Sequence, residues 1–206
     1  MHKLKTVELS LLFGVLAALI WGAGTVRAQG ELADSMIRLH VVANSDSQED
    51  QSNKLAVRDA ILDQVNRYGV QAQTAQEMEA LLRANLASLE RAGEAVLRAR
   101  GCGDEVRAEI VICYFPTKTY SGFALPAGMY TALRLEIGAG EGANWWCVAF
   151  PPLCVGASAE SVEEAAQAGF FTKEQAEFLA GNSEGYVLKF KTMELLGELK
   201  QRIFGP

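Results

Sequence analysis

Histidine is almost missing from this chain: of 206 residues only His2 and His40 carry an imidazole. A mononuclear zinc site needs three or four ligands. Cys147, Cys154, His40 and Asp46 are the candidates, and no short ligand spacing joins them, so no metal and no cofactor are expected. A basic excess is lacking too. The net charge of −6 argues against nucleic-acid binding, which needs a basic face to neutralise phosphates. There is no internal repeat and no low-complexity tract. Residues 44–50 lack the turn glycine and the terminal glutamate of a calcium loop. The glycines at 138, 140 and 142 lack a following Lys-Ser/Thr, and Glu141 would repel an anion, so they are not a phosphate loop.

What is present points outward. His2, Lys3 and Lys5 form a basic start, and residues 9–26 follow as an apolar run of 18 residues. Val26-Arg27-Ala28 reads as a small-residue cleavage site, so residues 1–28 are expected to be a signal peptide, with a retained membrane anchor as the alternative. In both cases the chain from about Gln29 lies outside the cytoplasm. Cleavage would remove three positive charges and one negative, taking the net charge from −6 to −8. Half of the residues are hydrophobic, enough for a core without external staples.

Four cysteines in an exported chain permit disulfides. A strand from Glu105 to Cys113 would hold Cys102 and Cys113 roughly 25 Å apart, too far to bridge. Pro151-Pro152 can reverse the chain between Cys147 and Cys154, making that pair the expected bridge if one forms. Buried free thiols are the alternative for all four.

Alternation predicts a strand over residues 36–43, with Ile37, Leu39 and Val41 on one face and Arg38, His40 and Val42 on the other. Residues 44–47 stop it and cap a helix whose stripe is Leu55, Ile61, Leu62, Val65 and Tyr68. Gly69 ends that helix. Thr74 to Glu77 is a capping-box pattern opening a second helix, with Met78, Leu81, Leu82, Leu86, Leu89, Val96 and Leu97 inward. Strands follow over residues 106–115, 129–137 and 144–150. Residues 138–143 read as the tight connection of the last two, making them an antiparallel pair. Helix starts at Ser161 and Thr172 and a largely helical stretch over residues 186–204 complete the chain. The fold class is α+β: a mainly antiparallel sheet with two long helices packed on one face, plus a C-terminal helical tail. The expected division is 1–28, an α+β domain over 29–155, and the tail over 156–206.

Trp145 and Trp146 are neighbours in a strand and so point to opposite faces. One can enter a core while the other serves as an aromatic anchor on a binding face, with two core tryptophans as the alternative. Asn144, Tyr130 and Arg134 are the expected neighbours of that anchor, with Lys118 a further polar contact. A hydrolase can also be drawn: Cys147 as nucleophile, His40 as base, Asn44 or Asp46 as orienting group. Cys147 lies inside an apolar strand, where nothing lowers its pKa, and a nearby cysteine would consume the thiol. An exported hydrolase acting on cell wall or peptide is therefore the alternative function, and no catalytic residue is assigned.

Several blocks resemble one known family. They are IRLHVVANSD (37–46), VRDAI (57–61), FPTK (115–118) with Tyr120, LPAG (125–128) with Tyr130, and above all GEGANWWCVAFPPLC (140–154). Together they resemble the stage II sporulation protein R family of spore-forming bacteria, over about residues 37–154. One departure is Ser121, which intervenes between Tyr120 and Gly122. The resemblance implies a signalling protein, not an enzyme. It would be exported into the space between forespore and mother-cell membranes. There it would activate a membrane-embedded aspartic protease, stage II sporulation protein GA, which processes the sigma-E precursor.

Overall fold

A computed structural model describes residues 11–14, 16, 27, 29–154 and 159–180. Most of the apolar run, the cleavage site after Ala28 and the helix expected over 186–204 lie outside the described residues. Among the described residues no helix is long and apolar enough to cross a membrane. The chain divides into residues 1–32 and residues 33–206. In the first unit residues 11–14, 16, 27 and 29–32 are helical, and Arg27 pairs with Glu31 one turn on at 2.9 Å.

The second unit begins with β1 (Ile37–Val42), then helices α1 (Gln48–Gly69) and α2 (Ala75–Ala99). Strands β2 (Val106–Phe115), β3 (Lys118–Tyr120), β4 (Phe123–Leu125), β5 (Gly128–Ile137) and β6 (Asn144–Phe150) follow. Two short helices, α3 (Ala159–Gln167) and α4 (Lys173–Ala180), close the described chain. The caps form as the sequence requires. Ser47 Oγ accepts from Asp50 N at the start of α1, and Thr74 Oγ1 accepts from Glu77 N at the start of α2. The Glu77 carboxylate returns to Gln73 N rather than to the cap residue itself.

The main sheet runs β2-β5-β1-β6. β2 with β5 and β1 with β6 are antiparallel, whereas β1 and β5 are parallel. The fold is α+β, with helices α1 and α2 against one sheet face. Their core joins Val57, Ile61, Val65, Met78, Leu82, Leu89 and Leu97 to Leu39, Val41, Ile110, Leu133 and Leu135. One stripe residue is corrected: Leu55 faces solvent, and Val57 takes the inward position one turn before Ile61. Gly93 lets α2 approach closely, since a Cβ there would meet Val106 at 3.1 Å and Val57 at 3.3 Å.

The expected pairing of the last two long strands is overturned. β1 lies between β5 and β6, so residues 138–143 are a crossing, not a hairpin. The cause is the composition of β1, which is buried at all six positions and suits a central place. A second difference is the hairpin β3–β4, for which alternation over these short segments gives no strand signal. It turns at Ser121-Gly122, with Gly122 at φ +85°.

Candidate functional site

The face of the sheet away from α1 and α2 is built in cross-strand rows. Register places Glu109, Arg134, His40 and Trp146 side by side across β2, β5, β1 and β6. The adjoining row on one side is Arg107, Glu136, Val42 and Asn144; on the other it is Val111, Ala132, Arg38 and Val148. Alternation along each strand brings these side chains to one surface.

Trp146 and His40 stack, with ring centroids 3.7 Å apart and planes 13° apart. Phe115 meets Trp146 edge-on at 4.7 Å and Tyr130 at 5.8 Å. His40 Nε2 donates to Asn144 Oδ1 at 2.6 Å, which fixes the tautomer and ties β1 to the exposed start of β6. Burial pushes the His40 imidazole below its usual range; the Asn144 bond opposes this and the Arg134 charge adds to it. Arg134 binds the Glu136 carboxylate and lies 3.7 Å from that of Glu109.

Of the five residues expected on a binding face, Trp146, Asn144, Arg134 and Tyr130 come together. Tyr130, however, is only 1 % exposed and donates its hydroxyl to the Pro126 carbonyl at 2.7 Å. It supports the aromatic cluster from below and offers no surface. Trp145 turns to the helical side, where its ring lies 4.3 Å from the Arg58 guanidinium of α1. The two tryptophans thus face opposite ways, and each is half-buried. Lys118 is exposed in β3. His40 and Phe115 belong to the cluster but were not assigned to a binding face. Alternation placed His40 on a face, but only strand order shows which residues stack on it.

The loop of residues 138–143 clamps the end of β1. Ala139 N donates to Asn44 Oδ1 at 2.9 Å, Glu141 N to the Asn44 carbonyl at 3.2 Å, and Gly142 N to the Ala43 carbonyl at 2.9 Å. Asp46 Oδ1 accepts from Ala143 N at 2.7 Å, and Lys54 Nζ reaches the Ala143 carbonyl at 2.8 Å. Asn44 and Ser45 both donate to the Asp50 carboxylate, holding it below the usual carboxylate range. Asn44 and Asp46 are therefore fastenings between β1, α1 and the start of β6.

Cys147 and Cys154 form a disulfide, with Cα atoms 5.0 Å apart; Cys102 and Cys113 are free. Cys147 packs with the helical core, whereas His40 lies on the other face. The hydrolase arrangement is thus not assembled: its nucleophile is oxidised and points away from its base. Among the described residues no group of three or more His, Cys, Asp or Glu side chains could hold a metal ion.

Residues 33–160 match the family described as Stage II sporulation protein R. Stage II sporulation protein R of Bacillus subtilis (strain 168) is 35% identical over 123 residues, which is 60% of this chain and 55% of that protein. The chain thus spans about half the length of the curated relative it matches. No solved structure matches it.

Proposed function

The chain belongs to the stage II sporulation protein R family, and on that premise we propose that it is an exported activating ligand of endospore formation. Its partner is the membrane-embedded aspartic protease of the mother cell, stage II sporulation protein GA, which processes the sigma-E precursor. The chain binds the extracytoplasmic side of that protease, in the space between the two membranes. It acts by differential affinity, binding the active state of the protease more tightly than the inactive one.

The observation that carries this reading is the reach of the family match. Residues 33–160 take in every strand of the sheet and both long helices. The rows around His40 and Trp146 fall inside that span. They end at β6, an edge of the sheet where Asn144 is exposed beside the Trp146–His40 stack. An aromatic body with a polar rim is the usual composition of a protein-binding patch.

The test is co-expression of this chain, the protease and a sigma-E precursor reporter in a host that does not sporulate. Processing is expected only when all three are present. Asn144→Lys, which changes the exposed rim and also removes the acceptor of His40 Nε2, should lower processing by about tenfold, a loss of about 1.4 kcal/mol in binding, with an unchanged unfolding midpoint required to assign that loss to binding. Processing that persists without this chain would sink the ligand reading.

A further inference from the structure

Opposite the Trp146–His40 stack, on the helical side of β6, α1 and the segment that follows β6 enclose a groove. Along α1 it is edged by Asp59, Asp63, Asn66 and Val70, all exposed and spaced by one helical turn, so that they share a face. Asp59, Leu62 and Asp63 line a cavity of about 310 Å³ whose far wall is Pro152 and Cys154. Val65 and Val70 line a second, of about 300 Å³, against Phe150 and Phe170. Asn66 and Pro152 belong to both, so the two cavities are one continuous groove.

Both walls are held in place. One is a helix; the other is tied back by the Cys147–Cys154 disulfide, with Cα atoms 5.0 Å apart. At the far end Phe150 and Phe170 meet edge-on, their centroids 5.0 Å apart. A groove formed in advance needs little ordering when it is filled. Its two halves differ in chemistry. The first is acidic. The Arg58 guanidinium beside it is already engaged, lying over the Trp145 ring and donating to Asp59 Oδ1 at 2.8 Å. Among the described residues Asp63 makes no ion pair, not even with Arg67 one turn on. The second half is apolar, and Val70 at its mouth is 88 % exposed.

Charge decides what fits. Asp59 and Asp63 repel an anion and attract a cation, and the chain's net charge of −6 works in the same direction. Openness decides its size. Asp59, Asp63, Asn66, Pro152 and Val70 are all exposed, so a small ligand would keep much of its surface in water. Small-molecule pockets enclose about 70–90 % of their ligand. A protein segment, by contrast, can fill such a groove with one side and leave the other wet. Asp63 and Val70 are seven residues apart, about 10 Å at about 1.5 Å per residue along α1. An extended chain covers that distance in about three residues. We propose that this groove binds an extended segment of a partner protein that carries a lysine or arginine for the acidic half and, about three residues away, a large apolar side chain for the other. The inference goes beyond the signalling reading and does not rest on it.

The test is fluorescence anisotropy on the full chain in mild detergent, with labelled, amidated hexapeptides as probes. The parent peptide carries arginine at its second position and phenylalanine at its fifth, among serines and glycines. One control replaces the arginine by glutamate, the other the phenylalanine by serine. The parent should bind, and each control should bind about tenfold more weakly or not at all. Asp63→Lys should weaken the parent about tenfold and Val70→Ser about threefold. Both positions are exposed, so both variants should keep the wild-type unfolding midpoint; if one does not, the other decides. Sedimentation of the full chain reads the other occupant: a dimer that Asp63→Lys dissolves would assign the groove to a second copy and overturn the proposal. No binding of the parent at millimolar concentration, equal binding of the glutamate control, or an affinity that neither substitution changes would overturn it as well.

Discussion

At the scale of single residues, the glycine series between β5 and β6 shows how unequal three similar residues can be. A Cβ on Gly142 would sit 2.2 Å from the Ser45 carbonyl oxygen, which is backbone and cannot swing away. A Cβ on Gly138 would sit 2.4 Å from Asn44 Oδ1, at a backbone φ of +57°. Gly140 also has a positive φ, +66°, yet its nearest neighbour would be the flexible Glu136 side chain at 3.6 Å. Gly140→Ala therefore meets only the left-handed backbone penalty, about 1–2 kcal/mol. Gly142→Ala forces the loop off the end of β1 and breaks hydrogen bonds as well, a loss of about 3 kcal/mol or more. Urea unfolding midpoints should rank the two in that order. A Gly142→Ala loss no larger than that of Gly140→Ala would contradict the close approach of the two backbones.

At the scale of elements, the disulfide fastens the end of β6 to the segment beyond Pro151-Pro152. It closes a sequence separation of seven residues. Loop closure of that length stabilises by roughly 2–3 kcal/mol. A double Cys147→Ser, Cys154→Ser variant should lose about that much, and a reducing agent should lower the wild-type midpoint without moving that of the variant. A reductant effect of the same size in both would assign it to Cys102 or Cys113 instead. The bounds of β2 and β6 were legible because alternation and flanking turn residues mark strand ends locally. The neighbour of β6 was not legible. A short loop between two strands reads as a hairpin, and only long-range pairing with β1 decides otherwise. The same gap explains the site. Alternation put Trp145 and Trp146 on opposite faces, but which face holds the helices follows from strand order. Tyr130 looked available for the same reason: its burial comes from Phe115 and Arg38, neither adjacent to it in the chain.

At the scale of the whole molecule, the scarcity of histidine becomes an experimental advantage. His40 is the only imidazole among the described residues, so it alone of their side chains has an ordinary pKa in the mildly acidic range. Its neighbours are Trp146, Phe115, Asn144, Arg134 and Glu136, and burial outweighs the rest in lowering its pKa from 6.5. Below pH 6.5 the unfolded chain takes up a proton that the folded chain still refuses. Stability contributed by the neutral ring is therefore fully present above 6.5 and declines as pH falls through the window between the two pKa values. The lowered carboxylates, Asp50 and Glu174, act only further down, below the ordinary carboxylate range. Melting temperature should therefore fall between about pH 7 and about pH 5.5 in the wild type. It should fall less in His40→Gln, which keeps a donor for Asn144 and cannot charge. A profile rising on acidification would mean that cation attraction to the Trp146 face outweighs burial, and would reverse the sign assigned to this histidine.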